Sequence, residues 1–159
     1  MNPSNPAVLQ LVVREARLID DGAWAEWLAL FAPDGSYWIP RSRTDTDPAL
    51  QPALLYEDAV LLKVRVERLQ AGLAHSLRPE VRCLHVLQAP ELEALDEAGG
   101  TARVHVRYVY LETQADQQVV LGCTATYHLV RLNDTWRIAQ KVVHVLNPGA
   151  PLPMIQLMP

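Results

Sequence analysis

The chain has 159 residues, of which 50% are hydrophobic, and this suits one domain with a substantial core. A formal net charge of −4 without any basic run argues against a nucleic-acid partner. No run of about 18 apolar residues is present, so no membrane span is expected. The two cysteines lie in strand-like segments and the polar start does not resemble a signal peptide, so we expect a cytoplasmic location.

The first part of the chain predicts helices. Apolar residues recur at helical spacing from about Ala7 to Ile19, behind an N-terminal arm of residues 1–6. Asp20 or Asp21 then offers a carboxylate that can cap a second helix. The apolar face of this second helix has the spacing i, i+3, i+4, i+7 and consists of Trp24, Trp27, Leu28 and Phe31. Such a helix must pack against a broad apolar surface.

Proline and glycine divide the segment that follows. Pro33 ends the second helix, Asp34-Gly35 predicts a turn, and Tyr37–Ile39 predicts a short strand. Residues 41–52 form a polar loop rich in Ser, Thr, Asp and Pro. A third helix is then predicted from a core-facing stripe at spacings of four and three: Leu55, Ala59, Leu62, Val66, Leu69 and Leu73.

From Pro79 onwards the spacing of apolar residues changes to two, which is typical of strands. The predicted strands are Val81–Ala89, Thr101–Thr113, Val119–Leu132 and Trp136–Leu146. Residues 90–100 form an acidic connector with room for a short helical turn. Asn133-Asp134 predicts a hairpin turn between the last two strands. The tail, residues 147–159, contains four prolines and is expected to be irregular.

These elements define a segregated α+β pattern in a single domain of residues 1–159. Long antiparallel strands with one polar face, crossed by a tryptophan-bearing helix, predict a strongly curved sheet wrapped around three N-terminal helices. This cone is the NTF2-like architecture. The same cone hosts enzymes, ligand-binding domains and structural subunits, so the fold alone does not choose among them.

Three blocks carry a more specific resemblance. The first block is LIDDGAWAEWLALFAPDGSYWIP, and its matching positions are Asp20, Trp24 or Trp27, Phe31, Asp34, Tyr37 and Pro40. The second block is LLYEDAVLLKVRVERLQAG, and its matching positions are Glu57, Asp58, Leu62, Arg65, Val66, Arg68 and Leu69. The third block is TYHLVRLNDTWRIAQKVVHVLN. In this order and spacing they resemble the β (small) subunit of bacterial aromatic-ring-hydroxylating dioxygenases. The resemblance spans most of the chain.

The resemblance implies a structural role. Such β subunits are usually not catalytic and assemble with α subunits, typically as α3β3. The α subunit carries a Rieske [2Fe–2S] cluster and a mononuclear Fe(II) and inserts dioxygen into an aromatic ring. We therefore expect no cofactor and no metal in this chain, self-association as a trimer, and an α subunit as partner. Arg65 and Arg68, off the apolar stripe of the third helix, are candidate interface residues, with solvated arginines as the alternative.

The chain's own residues do not match a Rieske site or a mononuclear iron site. Cys83-Leu84-His85 imitates the first half of a Rieske motif, whose irons take Cys and His ligands. Cys123 lies 40 positions further on, and in a strand it points away from the face of His128. No two of the five histidines stand at i, i+4, so we favour core cysteines and satisfied or surface histidines.

Two other functions remain open at this point. A stand-alone isomerase or dehydratase needs a carboxylate in an apolar pocket, and Asp58 with Tyr37 and His85, or with Tyr127, is the best available set. The competing account places Glu57 and Asp58 in the first turn of the third helix, where the helix dipole stabilises negative charge. The third possibility is a ligand-binding cone without chemistry, whose pocket is lined by the aromatic residues of the second helix.

Overall fold

The computed structural model describes residues 4–72 and 80–159. Within these ranges the helices are α1 (Ser4–Asp20), α2 (Trp24–Leu28) and α3 (Ala59–Gln70). The strands are β1 (Phe31–Pro40), β2 (Ala53–Glu57), β3 (Val81–Leu87), β4 (Glu91–Asp96), β5 (Thr101–Gln114), β6 (Gln117–Leu132) and β7 (Thr135–Val145). Over the described residues, no helix is both long and apolar enough to cross a membrane.

The strands form one sheet in the order β2-β1-β7-β6-β5-β3, and β4 also pairs with β5. All neighbours are antiparallel except β1 and β7, which run parallel. The long strands β5 and β6 pair along their length, from Thr101 opposite Val130 to Gln114 opposite Gln117, and form the wall of the cone. The predicted α+β cone is confirmed.

Helix α1 lies inside the curved sheet, where it contacts β3, β4, β5 and β7. Its apolar face is buried at Val8, Val12 and Ile19, as the helical spacing predicts. Alternation along β5 buries one face of the strand, and the residues on that face are Val104, Val106, Tyr108 and Tyr110. The core therefore lies between the sheet and the helices, with Trp27 of α2 and Leu62 and Val66 of α3 adding to the buried face of α1.

The hairpin turn predicted at Asn133-Asp134 is confirmed. Both residues have positive φ, 48° and 60°, as a type I′ turn between two right-twisted strands requires. The polar loop of residues 41–52 contains no helix or strand, and neither does the tail after β7. Although the tail is irregular as predicted, its last residues, Leu157, Met158 and Pro159, are buried. They lie at the end of the cone marked by Tyr37 of β1 and Glu112 of β5, which we call its mouth.

The second helix is shorter than its apolar spacing predicts. It ends at Leu28, and Phe31 already belongs to β1, because the backbone from Phe31 pairs with Ile138 of β7. Asp34 and Gly35 lie inside this strand, where its register against β7 shifts. The cap prediction was also wrong: Ala23 is the N-cap without a side-chain hydrogen bond, and Asp20 ends α1 instead.

Two further boundaries differ from the prediction. Leu55 lies in β2 rather than in the third helix, because Asp58 caps that helix and Ala59 is its first residue. The acidic connector forms strand β4 rather than a helical turn, because the open edge of β5 offers unpaired backbone groups to Glu91–Asp96. Leu73, predicted at the end of the helical stripe, lies outside the described residues.

Candidate functional site in the interior of the cone

A buried ion pair lies at the centre of the cone. Glu15 of α1 and Lys141 of β7 are both fully buried, and the Lys141 Nζ lies 3.1 Å from each Glu15 carboxylate oxygen. The Trp27 indole donates to Oε1 at 2.8 Å, and the Tyr127 hydroxyl donates to Oε2 at 2.9 Å. The carboxylate is thus held by charge and by two neutral donors, the condition under which a buried charge is tolerated.

Aromatic rings enclose the cation of this pair. The Lys141 Nζ lies 5.0 Å from the ring centre of Tyr37 and 5.5 Å from that of Tyr127, within cation–π range. Burial and then the charge of Glu15 raise the pKa of both phenols well above the ordinary value. The two tyrosines therefore stay neutral and act as packing and hydrogen-bonding groups.

A second polar cluster joins the end of α1 to β3. Asp20 accepts a hydrogen bond from the backbone N–H of His85 at 3.0 Å, and its Oδ1 lies 2.6 Å from the His85 Nδ1. The Cys83 thiol lies 3.7 Å from the same carboxylate oxygen. Burial, and next the charge of Asp20, raise the pKa of Cys83 to about 12, so the thiol is protonated at neutral pH.

The buried carboxylate of Glu112 holds the tail. Glu112 of β5 accepts hydrogen bonds from the backbone N–H groups of Gln156 and Leu157, at 2.8 and 3.0 Å, and from the Tyr110 hydroxyl at 2.6 Å. Tyr37 donates its hydroxyl proton to the carbonyl oxygen of Pro159. Two polar anchors therefore hold the tail in the mouth of the cone.

The three residues of the predicted acid–base set occupy different surroundings. Asp58 is exposed, and its carboxylate accepts a hydrogen bond from the Leu61 N–H at 2.9 Å as the N-cap of α3. Tyr37 is buried against Lys141 and the tail, whereas His85 is bound to Asp20. The helix-start account matches Asp58, whose carboxylate is not in an apolar pocket. It was wrong for Glu57, which is the last residue of β2 and is bound by Arg65.

The two candidate interface arginines also differ. The Arg65 guanidinium binds both carboxylate oxygens of Glu57, with Nε 2.8 Å from each, so its charge is neutralised within the chain. Arg68 lies exposed in the last turn of α3. Of the two, Arg68 presents its charge to solvent.

The cysteines and histidines of the Rieske comparison are not assembled into a cluster site. Within residues 4–72 and 80–159, the one group of three possible metal ligands that comes together is Asp20, Cys83 and His85. That group contains a single histidine, which is too few for a mononuclear iron site with two histidines. Cys123 and His128 lie outside it, and His75 is outside the described ranges.

The residues at the centre of the cone were missed in the sequence. Glu15 stands on the apolar stripe of α1, four residues after Leu11 and four before Ile19, and Lys141 alternates with the inward Val143 of β7. A charge of each sign on a core-facing stripe is a readable signal of a buried pair. The separation of 126 positions concealed that the two meet.

A cavity of 260 Å³ lies between the tail and the sheet, and its lining includes Leu55, Leu121, Val145 and Ile155. Arg65 borders it, but that guanidinium is already bound to Glu57. None of Asp58, Tyr37 and His85 lines this cavity, so the geometry does not present an acid–base group to a ligand there.

Comparison with known proteins assigns the family. The model of the ring hydroxylating beta subunit family matches residues 14–148. The chain is 30% identical over 149 residues to the small subunit of anthranilate 1,2-dioxygenase from Acinetobacter baylyi, covering 89% of this chain and 88% of the relative. It is 31% identical over 113 residues to the beta subunit of toluate 1,2-dioxygenase from Pseudomonas putida, covering 68% of each.

Solved structures agree with this assignment. The beta subunit of the benzoate 1,2-dioxygenase from Burkholderia mallei aligns with a TM-score of 0.71 at 26% identity, over 88% of this chain and 89% of that one. An NTF2-like protein with a cystatin-like fold from Novosphingobium aromaticivorans aligns with a TM-score of 0.62 at 15% identity, over 92% and 83%. The fold is therefore NTF2-like. The chain belongs to the family of ring-hydroxylating dioxygenase beta subunits, and this favours the subunit function over a stand-alone cone enzyme.

Proposed function

We propose that this chain is the structural, non-catalytic β subunit of a multicomponent aromatic-ring-hydroxylating dioxygenase. It supports an α subunit that carries the Rieske [2Fe–2S] cluster and the mononuclear Fe(II), and both redox centres belong to that partner. The observation that carries the proposal, beyond family membership, is that a fully paired Glu15–Lys141 ion pair and aromatic rings occupy the centre of the cone. A cone enzyme needs space and a reactive group there, and this chain has an ion pair, aromatic rings and its own tail.

The energetics of the Glu15–Lys141 pair support a structural role. Both charges are fully buried and paired with each other. Glu15 also accepts hydrogen bonds from Trp27 and Tyr127. The Lys141 ammonium faces the rings of Tyr37 and Tyr127. A carboxylate or ammonium paired in this way is not available to bind a substrate, because the loss of any of its partners would leave a buried charge unpaired. The interior thus specifies one packing of α1 against β7.

The outer face of the sheet supports assembly with other chains. Large apolar side chains are exposed on neighbouring strands near one end of the wall: Leu84, Val86, Val109, Val120 and Leu146. Contiguous exposed apolar surface of this kind is typical of protein–protein interfaces. We propose a trimer of this chain in an α3β3 complex, with exposed Arg68 at the contact with the α subunit.

The relatives suggest a substrate class and a compartment. The anthranilate and toluate dioxygenases carry aromatic acids in their names, and we propose that the complex of this chain dihydroxylates aromatic rings in the catabolism of such compounds. Ring choice belongs mainly to the α subunit. Both cysteines are free thiols, which is in keeping with the reducing cytoplasm as the location.

The mass and iron content of the purified chain test the subunit proposal. We expect light scattering to give three times the 17.8 kDa of one chain, with no stoichiometric iron and no ring hydroxylation. A strict monomer, or an iron-loaded chain that hydroxylates an aromatic acid alone, would contradict the proposal.

The interface role of Arg68 has its own control. Arg68→Glu should weaken association with the α subunit, because it reverses a charge at the proposed contact. Arg14→Glu changes another exposed helical arginine and should leave association unchanged. If the two substitutions weaken association equally, Arg68 does not lie at the interface with the α subunit.

A further inference from the structure

Three side chains with metal-binding atoms meet where the end of α1 touches β3. Asp20 is the last residue of the helix, and Cys83 and His85 project from one face of the strand because they stand two positions apart. One ligand atom from each residue lies within 4.8 Å of the others. Carboxylate oxygen, thiolate sulfur and imidazole nitrogen are the donors that zinc takes in proteins.

The distance between Cys83 and Asp20 suits one tetrahedral ion, and the distance between Asp20 and His85 must lengthen to do so. With metal–ligand bonds of about 2.0–2.3 Å, two ligand atoms of a tetrahedral Zn²⁺ site lie about 3.3–3.8 Å apart. The Cys83 Sγ and Asp20 Oδ1 are 3.7 Å apart and already match. The Asp20 Oδ1 and His85 Nδ1, now 2.6 Å apart, must separate by about 0.8 Å to reach that spacing as their hydrogen bond gives way to two metal bonds.

The surroundings allow an ion to enter. A cavity of 240 Å³ is lined by Asp20 and Cys83, and also by the acidic residues Asp21 and Glu80. Arg82 also lines the cavity and pairs with Glu80 at 3.2 Å, so the carboxylates of Asp20 and Asp21 are the ones that favour a cation there. The cavity has room for the water that completes four-coordination. The side chain of His85 is buried, which fixes one wall of the site.

The second nitrogen of His85 sets a cost that metal binding must exceed. Its Nε2 is buried and has no hydrogen-bond partner in the part of the chain that the structure describes. The imidazole packs against Tyr108 and Tyr110, with ring centres 5.5 and 5.0 Å away. Binding of a metal at Nδ1 places the ring proton on Nε2, where no polar acceptor among the described residues receives it, so the free energy of the metal bonds must exceed that loss.

We propose that Asp20, Cys83 and His85 bind one Zn²⁺ ion that ties the end of α1 to strand β3. The Cys83 thiol, which is protonated in the metal-free chain, releases its proton to solvent as the sulfur–zinc bond forms. The sequence led us to expect no metal in this chain, and the proposal revises that expectation for this one structural site. The ion is separate from the iron centres of the partner subunit. The site holds independently of the proposed subunit function, because it rests on the residues of this chain alone.

Titration of the full-length, chelator-treated chain with Co²⁺ and Zn²⁺ tests the site. Co²⁺ reports on its ligands, since a bond to a thiolate produces a charge-transfer absorption in the near ultraviolet. We expect one equivalent of Co²⁺ to produce this absorption, Zn²⁺ to displace it, and Zn²⁺ to raise the Tm of the chain. Cys83→Ser should abolish the absorption, and Asp20→Asn should weaken Zn²⁺ binding by about ten-fold or more.

Cys123 provides the matched control. It is the other free cysteine, and it lies buried on β6 outside the group of three. Cys123→Ala should keep the absorption and the rise in Tm. If the wild-type chain gives no thiolate absorption with Co²⁺, if Cys83→Ser retains it, or if Cys123→Ala loses it, the site is not the one proposed. Circular dichroism verifies that each variant is folded, and Asp20→Asn serves as a second test if Cys83→Ser is not.

Discussion

The buried pair of Glu15 and Lys141 makes a sharp prediction about stability. Lys141→Met removes the cation with little change of shape and leaves the carboxylate with only its two neutral donors, Trp27 and Tyr127. Because Glu15 is fully buried, the unpaired charge should cost about 3–5 kcal/mol in the free energy of unfolding. Glu15→Gln should cost about as much, since it leaves the ammonium of Lys141 unpaired.

The double variant separates the worth of the pair from the cost of breaking it. Glu15→Gln with Lys141→Met buries no charge, and the Gln side chain can still accept from Trp27, so the loss should be at most about 2 kcal/mol. The two single losses would then exceed the double loss by several kcal/mol. For a chain of this length, each kcal/mol lowers Tm by about 2–4 °C, so each single variant should melt about 6–20 °C lower.

Urea unfolding of the four proteins at one fixed concentration measures these differences, because assembly makes stability depend on concentration. The exposed ion pair of Arg103 and Glu93 is the control, with the Arg103 Nε 2.8 Å from the Glu93 carboxylate. Arg103→Met should cost less than about 1 kcal/mol, since exposed ion pairs contribute little. The account of the interior is refuted if Lys141→Met costs no more than Arg103→Met, or if the two interior losses simply add.

Three further predictions concern the periphery of the cone. Asp58→Ala should destabilise the chain by about 0.5–2 kcal/mol in urea unfolding through loss of a helix cap, and a change of less than about 0.3 kcal/mol would contradict that role. Glu112→Gln removes a charged acceptor worth about 1.5–3 kcal/mol, so amide exchange at residues 156–157 should accelerate about ten-fold or more; unchanged exchange would contradict the anchor. Burial, and then the charge of Arg103, lower the pKa of His128, so the unfolded chain binds the proton first and stability should fall as pH drops below about 6.5. The His128→Gln variant should lose less stability than the wild-type chain as pH falls below about 6.5. If both lose the same amount, groups other than His128 cause the loss.

Long periodic segments were predictable from the sequence. Alternation over β5 and β6 and helical spacing over α1 persist for many residues, so local pattern and tertiary packing agree. The turn at Asn133-Asp134 followed from the preference of these residues for positive φ. These features were enough to predict the curved sheet and its enclosed helix.

Features that depend on distant partners were not predictable. Phe31 has the spacing of a helical residue but lies in β1, because β7 is available for parallel pairing. Residues 91–96 form β4 because β5 is long enough to pair with both β3 and β4. In each case an open strand edge decided the structure: for β1 that edge lies about 100 residues further along the chain, and for β4 it belongs to the next strand, across a short hairpin.

The polar sites depend on distant contacts for the same reason. Asp20 had the position of a helix cap, but the N–H and imidazole of His85, 65 residues later, take its carboxylate. The tail has no periodicity, and yet Glu112 draws its end into the cone. Residue types signalled that a buried charge needs a partner, and only the fold identified which partner.

The most direct test of the central claim is the mass of this chain after co-expression with the Rieske-type α chains of its source genome. Light scattering should show that one of the α chains tested forms a stable complex with this chain, with equal numbers of copies of each. Ring hydroxylation should require that complex. The account is contradicted if this chain elutes apart from every α chain while one of them is fully assembled and active without it.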